Sequence, residues 1–170
     1  MSTGVTIRAE IRRVEWHDPL AVELRAAMDR EIGPRYADRF EGLDAARSEE
    51  LQTAFRIDPD DIAATFIVIV DGAAVAHAAL RELGDEWELK RLVTLPEHRG
   101  RGYSRALIAR VEAEVVARGG HRLILQTGDR QPEAVALYLS LGYLPIPIFE
   151  PYRVFAQSQC FARELLGEGE

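Results

Sequence analysis

The chain is short of cysteine and of long apolar runs, and each shortage excludes a class of protein. Cys160 is the single cysteine among 170 residues, so no intrachain disulfide can form. The apolar stretch Phe66 to Val70 ends at Asp71-Gly72, far short of the roughly 20 residues that a membrane-spanning helix needs. The first residues carry charges where a secretory signal would be apolar. We therefore expect a cytoplasmic protein with no membrane partner.

Basic residues are fewer than acidic ones, 21 against 28. The net charge of -7 argues against binding to a nucleic acid, which would need a basic face to displace counterions from phosphates. An acidic surface favours a cationic substrate, but it is equally an ordinary means of staying soluble. With 47% hydrophobic residues, the chain can bury a core without the help of disulfides or a metal. We expect a single domain over residues 1–170.

The hydrophobic pattern of the first half predicts strands and helices in alternation. Alternating residues from Val5 to Ile11 predict a strand, and Asp18-Pro19 predicts the start of a helix that ends before Gly33-Pro34. A second helix is predicted from Asp44 to about Phe55. The Asp71-Gly72 dipeptide predicts a tight hairpin between strands 66–70 and 73–81.

The second half changes character after a strand at 87–93. An apolar stripe predicts a helix over 104–118, followed by a buried strand at 123–125. A further helix at 132–141 and strands at 143–146 and 157–164 complete the pattern. Strand, crossover helix and strand make one parallel βαβ unit. The predicted fold class is therefore α/β (α+β): a mixed sheet with an antiparallel meander before the parallel unit, and helices on both faces.

The loop before the third predicted helix has the composition of a phosphate site. It reads Arg99, Gly100, Arg101, Gly102, Tyr103 and Ser104. Unpaired N–H groups and the helix dipole favour an anion at a helix N-terminus, and arginine can pair with phosphate. The loop lacks the Gly-Lys-Ser/Thr of a P-loop and the third glycine of a dinucleotide fingerprint. A glycine-rich turn with solvated arginines is the alternative.

Two segments resemble one known family. Arg99-x-x-Gly102-x-Ser104 after a strand is similar to the pyrophosphate loop of the GNAT acetyltransferases, with serine where glycine or alanine is usual. QPEAVALYLSLGY, residues 131–143, is similar to the family's second segment, with Gln131 in place of asparagine and Tyr143 in place of phenylalanine. The resemblance covers about residues 66–143 in order and spacing.

This resemblance implies an acetyl-CoA cosubstrate and an amine acceptor in a direct-transfer ternary complex. The loop would bind the pyrophosphate, and Gln131 would bind the CoA chain. Backbone groups of Leu92, Val93 and Thr94 would pair with the pantetheine arm like an added strand. The alternatives are a sensor that binds acyl-CoA without turnover and an enzyme for a longer acyl group.

Three residues are candidates for proton transfer. Amines are protonated at neutral pH, so a base or a water relay should help. The resemblance favours Glu88 as that base, with His77 as a competitor and a cross-strand ion pair as the structural alternative. Tyr138 would be the acid that protonates the leaving thiolate, unless it only fills the core. Cys160 has no setting for a nucleophile, and no spacing predicts a metal.

The acceptor and the assembly are less well defined by the sequence. A small amine is favoured over a protein substrate, because no additional recognition domain is evident. The oligomeric state stays open, a homodimer included.

Overall fold

Seven strands form one mixed sheet in residues 8–166, the part of the chain described by the computed structural model. They are β1 (Ala9–Val14), β2 (Ile62–Val70), β3 (Ala73–Leu83), β4 (Glu86–Thr94), β5 (Arg122–Thr127), β6 (Leu144–Ile146) and β7 (Gln159–Glu164). Their order across the sheet is β1-β2-β3-β4-β5-β7-β6. Strands β4 and β5 are parallel, and the other neighbours are antiparallel. The predicted meander followed by a parallel unit is confirmed.

Helices cover both faces of this sheet. They are α1 (Pro19–Tyr36), α2 (Ala45–Phe55), α3 (Tyr103–Ala117) and α4 (Pro132–Ser140). The apolar stripe of α3 packs with α4 on the larger core, whereas Leu24 of α1 packs on Ile67 and Ile69 from the opposite face. Strand β2 is apolar at nearly every position because both of its faces are covered. No helix among residues 8–166 is long and apolar enough to cross a membrane.

Several predicted bounds need correction at the N-terminal end. Val5 and Ile7 lie outside the described residues, and β1 continues to Val14 rather than ending at Ile11. Helix α1 runs through Gly33-Pro34 to Tyr36, although we predicted that it ends before them. A proline near the end of a helix removes only one backbone donor. In the last turn the Tyr36 hydroxyl accepts the N–H of Arg130 at 3.0 Å, a tertiary contact that holds the end of the helix in place.

The parallel pair β4 and β5 opens into a cleft. The two strands pair at Glu88 and Ile124, and beyond this point both contribute to the wall of one cavity. On its other side β4 stays paired with β3, with a bulge opposite Ala78. Arg91 at the bulge has a φ of 56°, unusual for a residue with a side chain. The cleft and the bulge fix the position of the candidate active site.

Candidate active site

A cavity of about 570 Å³ occupies the gap between the diverging ends of β4 and β5. One end meets the loop at 99–105, and the other is lined by Phe55 of α2 and Phe155. Tyr36 of α1 lies between them, in contact with Gln131 and with the Phe155 ring. The predicted site residues that line it are Leu92, Val93, Thr94, Arg99, Gly100, Gly102, Tyr103, Ser104, Gln131 and Tyr138. Arg101 and Glu88 are the two that do not. The structure thus brings ten of the twelve predicted residues to one cavity.

The loop before α3 is shaped by two glycines in the left-handed region. Gly100 has a φ of 75° and Gly102, the N-cap of α3, a φ of 82°. Alternating left-handed residues turn successive N–H groups toward one concave side, and such a nest attracts anions. A side chain at either glycine would meet open space, so the requirement is conformational.

The side chain of Arg99 is already engaged by the protein. Its guanidinium pairs with both carboxylate oxygens of Glu31 in α1, and its Nε donates to the carbonyl of Thr94 at 2.9 Å. The Ser104 hydroxyl lies 2.8 Å from that of Thr94. These contacts fasten α1 and the end of β4 to the loop. The backbone is therefore the part of this loop that faces the cavity without a partner side chain.

His77 supports the bulge of β4 from the neighbouring strand. Its Nε2 lies 3.0 Å from Arg25 Nη1, and its Nδ1 lies 2.8 Å from the Arg91 carbonyl. Because a guanidinium can only donate, Nε2 accepts and Nδ1 carries the hydrogen given to Arg91. Burial and nearby cations lower the pKa of His77 to about 4. His77 is thus neutral, with both nitrogens occupied, and lies outside the cavity lining.

Tyr138 lies within α4, and Gln131 immediately precedes the first residue of this helix. Tyr138 lines the cavity, and burial raises the pKa of its phenol. Gln131 occupies the N-cap position of α4 without a side-chain capping bond, and its amide nitrogen donates to the Tyr36 hydroxyl at 3.3 Å. Gly128, just before this turn, leaves room for Tyr36, since a Cβ there would come within 2.1 Å of the phenol oxygen. The helix therefore presents its polar groups to the cavity.

Glu88 is fully buried in a cluster of its own. Its carboxylate contacts Arg81 at 3.2 Å and Lys90 at 3.1 Å, and it accepts the Tyr152 hydroxyl at 2.7 Å. The structure does not bring Glu88 together with Tyr138, because Tyr138 lines the cavity and Glu88 does not. Its role as a base stays a prediction, which this arrangement does not favour over the ion-pair alternative.

Comparison with known proteins gives the family. Residues 25–143 match the model described as the acetyltransferase (GNAT) family. The chain belongs to this family. A curated relative, an IAA acetyltransferase of Azospirillum brasilense, is 31% identical over 131 residues, which are 77% of this chain and 81% of the relative. The protein is therefore a GNAT enzyme, an acetyltransferase.

Solved structures agree with the GNAT fold. A proposed acyl-CoA N-acyltransferase from Klebsiella pneumoniae subsp. pneumoniae is 28% identical, with a TM-score of 0.73 over 93% of this chain and 98% of that one. PaiA N-acetyltransferase from Thermoplasma acidophilum, solved in complex with coenzyme A, has a TM-score of 0.65 at 14% identity, covering 92% of this chain and 99% of that one. The latter shows a shared fold alone.

Several residues of this GNAT site escaped the sequence reasoning. The far end of the cavity is lined by Phe55 and Phe155, and Tyr36 connects it to the start of α4. These three residues come from distant segments. Lys90 lines it too, and a signal for it existed. Of the 21 lysine and arginine residues, Lys90 alone is a lysine, and it follows Glu88 at the two-residue spacing of one strand face.

Proposed function

We propose that this chain transfers the acetyl group of acetyl-CoA to the primary amine of a small molecule by direct attack in a ternary complex. One observation carries the proposal: a single cavity reaches from the phosphate-type loop, along the open edge of β4, to Tyr138 and an aromatic end. The family supports the acyl chemistry. A continuous cavity allows both substrates to be present at once, which direct transfer requires.

The loop and the strand edge fit a CoA-like cosubstrate. The nest of Gly100 to Ser104 offers N–H groups at the positive end of α3 to a pyrophosphate, with Arg101 beside it. The edge of Leu92 to Thr94, which faces the cleft, suits the amide groups of a pantetheine arm. Gln131, which lines the cavity, would bind the same arm. Acetyl-CoA supplies the acetyl group as an activated thioester.

Proton transfer divides between Tyr138 and solvent. As nitrogen bonds to the acetyl carbon and the carbon–sulfur bond breaks, the sulfur gains negative charge and takes the phenolic proton of Tyr138. Burial raises the pKa of Tyr138, so the phenol gives up its proton only to a strong base such as the thiolate that forms as the carbon–sulfur bond breaks. The amine's own proton leaves to water in the cavity, because Glu88 lies outside the lining and both nitrogens of His77 are occupied. Water then returns a proton to the Tyr138 phenolate, which restores the enzyme.

A thiol-release assay tests the function. Acetyl-CoA is offered with amino acids, polyamines, arylalkylamines, aminoglycosides or peptide N-termini, and acetylated products are detected by mass. We expect thiol release with at least one small amine, equal in amount to acetylated amine. Binding of acetyl-CoA without transfer to any acceptor would favour a sensor, and faster turnover with butyryl-CoA would favour a longer acyl group.

A further inference from the structure

Lys90 belongs to a buried cluster with more positive than negative charge. Its Nζ lies 2.6 Å from the Tyr152 hydroxyl and 3.1 Å from Glu88. Arg81 donates to the same hydroxyl at 2.9 Å and to Glu88 at 3.2 Å. Two cations thus share one carboxylate, and the side chains of all three charged residues are at most 11% exposed. Buried charges are normally paired, so this cluster has one positive charge in excess.

The remaining charged groups around the cavity do not balance this excess. Arg91, the next cation along β4, is paired with Asp29. Within the described residues, the two carboxylates of the cavity wall are Glu31, which pairs with Arg99, and Glu133, which pairs with Arg35. A carboxylate free to receive a cationic group is thus missing from this wall. Among the described residues, two cations of the wall have no carboxylate to themselves: Arg105, which donates to Ser140 at 2.8 Å, and Lys90, which shares Glu88 with Arg81.

The position of Lys90 assigns its charge to the acceptor rather than to CoA. Along β4, Lys90 precedes Leu92 by two residues, across the bulge at Arg91, on the side away from the phosphate-type loop. Aromatic rings of the cavity wall stand close to this lysine: Phe55 lies 5.7 Å between centroids from Tyr152, the hydrogen-bond partner of Lys90, and 5.7 Å from Phe155. A cation at the wall of an apolar chamber suits an anionic group on an otherwise apolar molecule.

We propose that Lys90 binds a carboxylate of the acceptor, which is then a small aromatic or apolar amine that also carries a carboxylate group. The assignment rests on the proposed function for the amine, but the carboxylate site stands on the cluster itself. Two hydrogens of the Lys90 ammonium go to Glu88 and Tyr152, and the third is available to the ligand. Burial lowers the pKa of Lys90, and a bound carboxylate would favour its ammonium form.

The single lysine gives a direct readout that needs no turnover. Protein labelled with ¹³C-lysine should show one Cε signal, that of Lys90. With CoA present, titration with benzoate, phenylacetate and 3-phenylpropionate should shift this signal, and 3-phenylpropionamide should not. The Kd of the best carboxylate should rise at least tenfold in Lys90→Met and much less in Lys90→Arg. Arg153→Met, which removes an exposed cation, is the matched control and should bind as the wild type does.

The outcomes separate this site from the transfer reaction. If none of the carboxylates shifts the Lys90 signal, the proposal is overturned, whether or not amines are acetylated. If carboxylates bind through Lys90 but no amine releases thiol, the proposed function fails and the site survives.

A kinetic comparison separates an anchor from a base. The acceptors are L-phenylalanine and 2-phenylethylamine, which differ by the carboxylate. In Lys90→Met, kcat/KM for phenylalanine should fall at least tenfold further than kcat/KM for phenylethylamine, mainly through KM. An equal loss in kcat for both acceptors, with unchanged carboxylate binding, would make Lys90 a base and overturn the proposal.

Discussion

The two ends of the cavity are built by different means. At the phosphate-type end, a short contiguous segment presents backbone N–H groups, and its glycines matter for the angles they allow. At the aromatic end, side chains from α1, α2, β4 and the segment around Phe155 meet, and a buried ion cluster stands behind them. The first end depends on local conformation and the second on long-range packing. Substitutions should therefore affect the two ends differently.

The largest effect is expected from breaking the ion cluster behind the aromatic end. Glu88→Gln leaves Arg81 and Lys90 sharing no carboxylate, and removing one partner of a buried pair costs about 3 kcal/mol or more in free energy of unfolding. Urea denaturation measures this loss. Glu23→Gln, which breaks an exposed pair with Arg30, is the control and should cost less than about 1 kcal/mol.

The same variant addresses catalysis. If Glu88→Gln stays stable and its kcat/KM profile moves to higher pH, the base role returns to Glu88. We expect instead that the profile keeps its wild-type shape.

A second effect is expected where the two ends meet, at Tyr138. Tyr138→Phe should lower the single-turnover rate about 100-fold, or about 2.7 kcal/mol, because the leaving thiolate loses its proton donor. Affinity for acetyl-CoA should not change, since the ring remains. Tyr143→Phe is the matched control: it is a neighbouring buried tyrosine with an unpaired hydroxyl. A rate within about twofold of wild type in Tyr138→Phe would leave that residue as a packing group.

A third effect concerns the support of the bulge and appears as pH-dependent stability. The pKa of His77 is about 4 in the folded protein, below its ordinary value of about 6.5 in an unfolded chain. Between these values the unfolded state binds more protons, so stability falls as pH falls. From pH 7.5 to pH 5 this contribution amounts to about 2 kcal/mol. Urea midpoints of wild type and His77→Gln at both pH values measure it, and equal pH slopes in the two proteins would contradict it.

The smallest of these effects is expected at the phosphate-type end. Gly102→Asp should weaken acetyl-CoA binding at least tenfold, about 1.4 kcal/mol, through strain in the nest and repulsion of phosphate. Gly84→Asp is the control, since Gly84 also has a positive φ, 58°, with open space around it. It lies in the turn between β3 and β4, away from the cavity. Calorimetric titration showing the same affinity in both variants would remove the loop from the site.

The contrast between the ends also explains what the sequence could predict. The phosphate-type loop and α4 were predicted because their signals are contiguous and depend on local geometry. The topology followed from strand periodicity and the Asp71-Gly72 hairpin, whose two residues have φ values of 48° and 86°. The end of α1 was wrong, because contacts of Tyr36 with the distant residue Arg130 override the local helix-breaking signal of Gly33-Pro34.

The aromatic end was missed for the same physical reason. Phe55 and Phe155 are 100 positions apart in sequence and carry no motif. Glu88 was noticed for its strand position, but a sequence cannot tell whether such a carboxylate faces a cavity or a buried cation. That distinction depends on Arg81, Lys90 and Tyr152 together.

Helix α1 has a consequence for engineering. Glu31 pairs with Arg99 beside the loop, Asp29 pairs with Arg91 at the bulge, and Tyr36 contacts Gln131. A chimera could import this helix from another acetyltransferase in order to change which amines are accepted. It would then also lose the three contacts by which α1 holds the parts of the site proposed to bind acetyl-CoA. Such a graft should succeed only if it preserves these three contacts, so the helix and its partners should be exchanged as one unit.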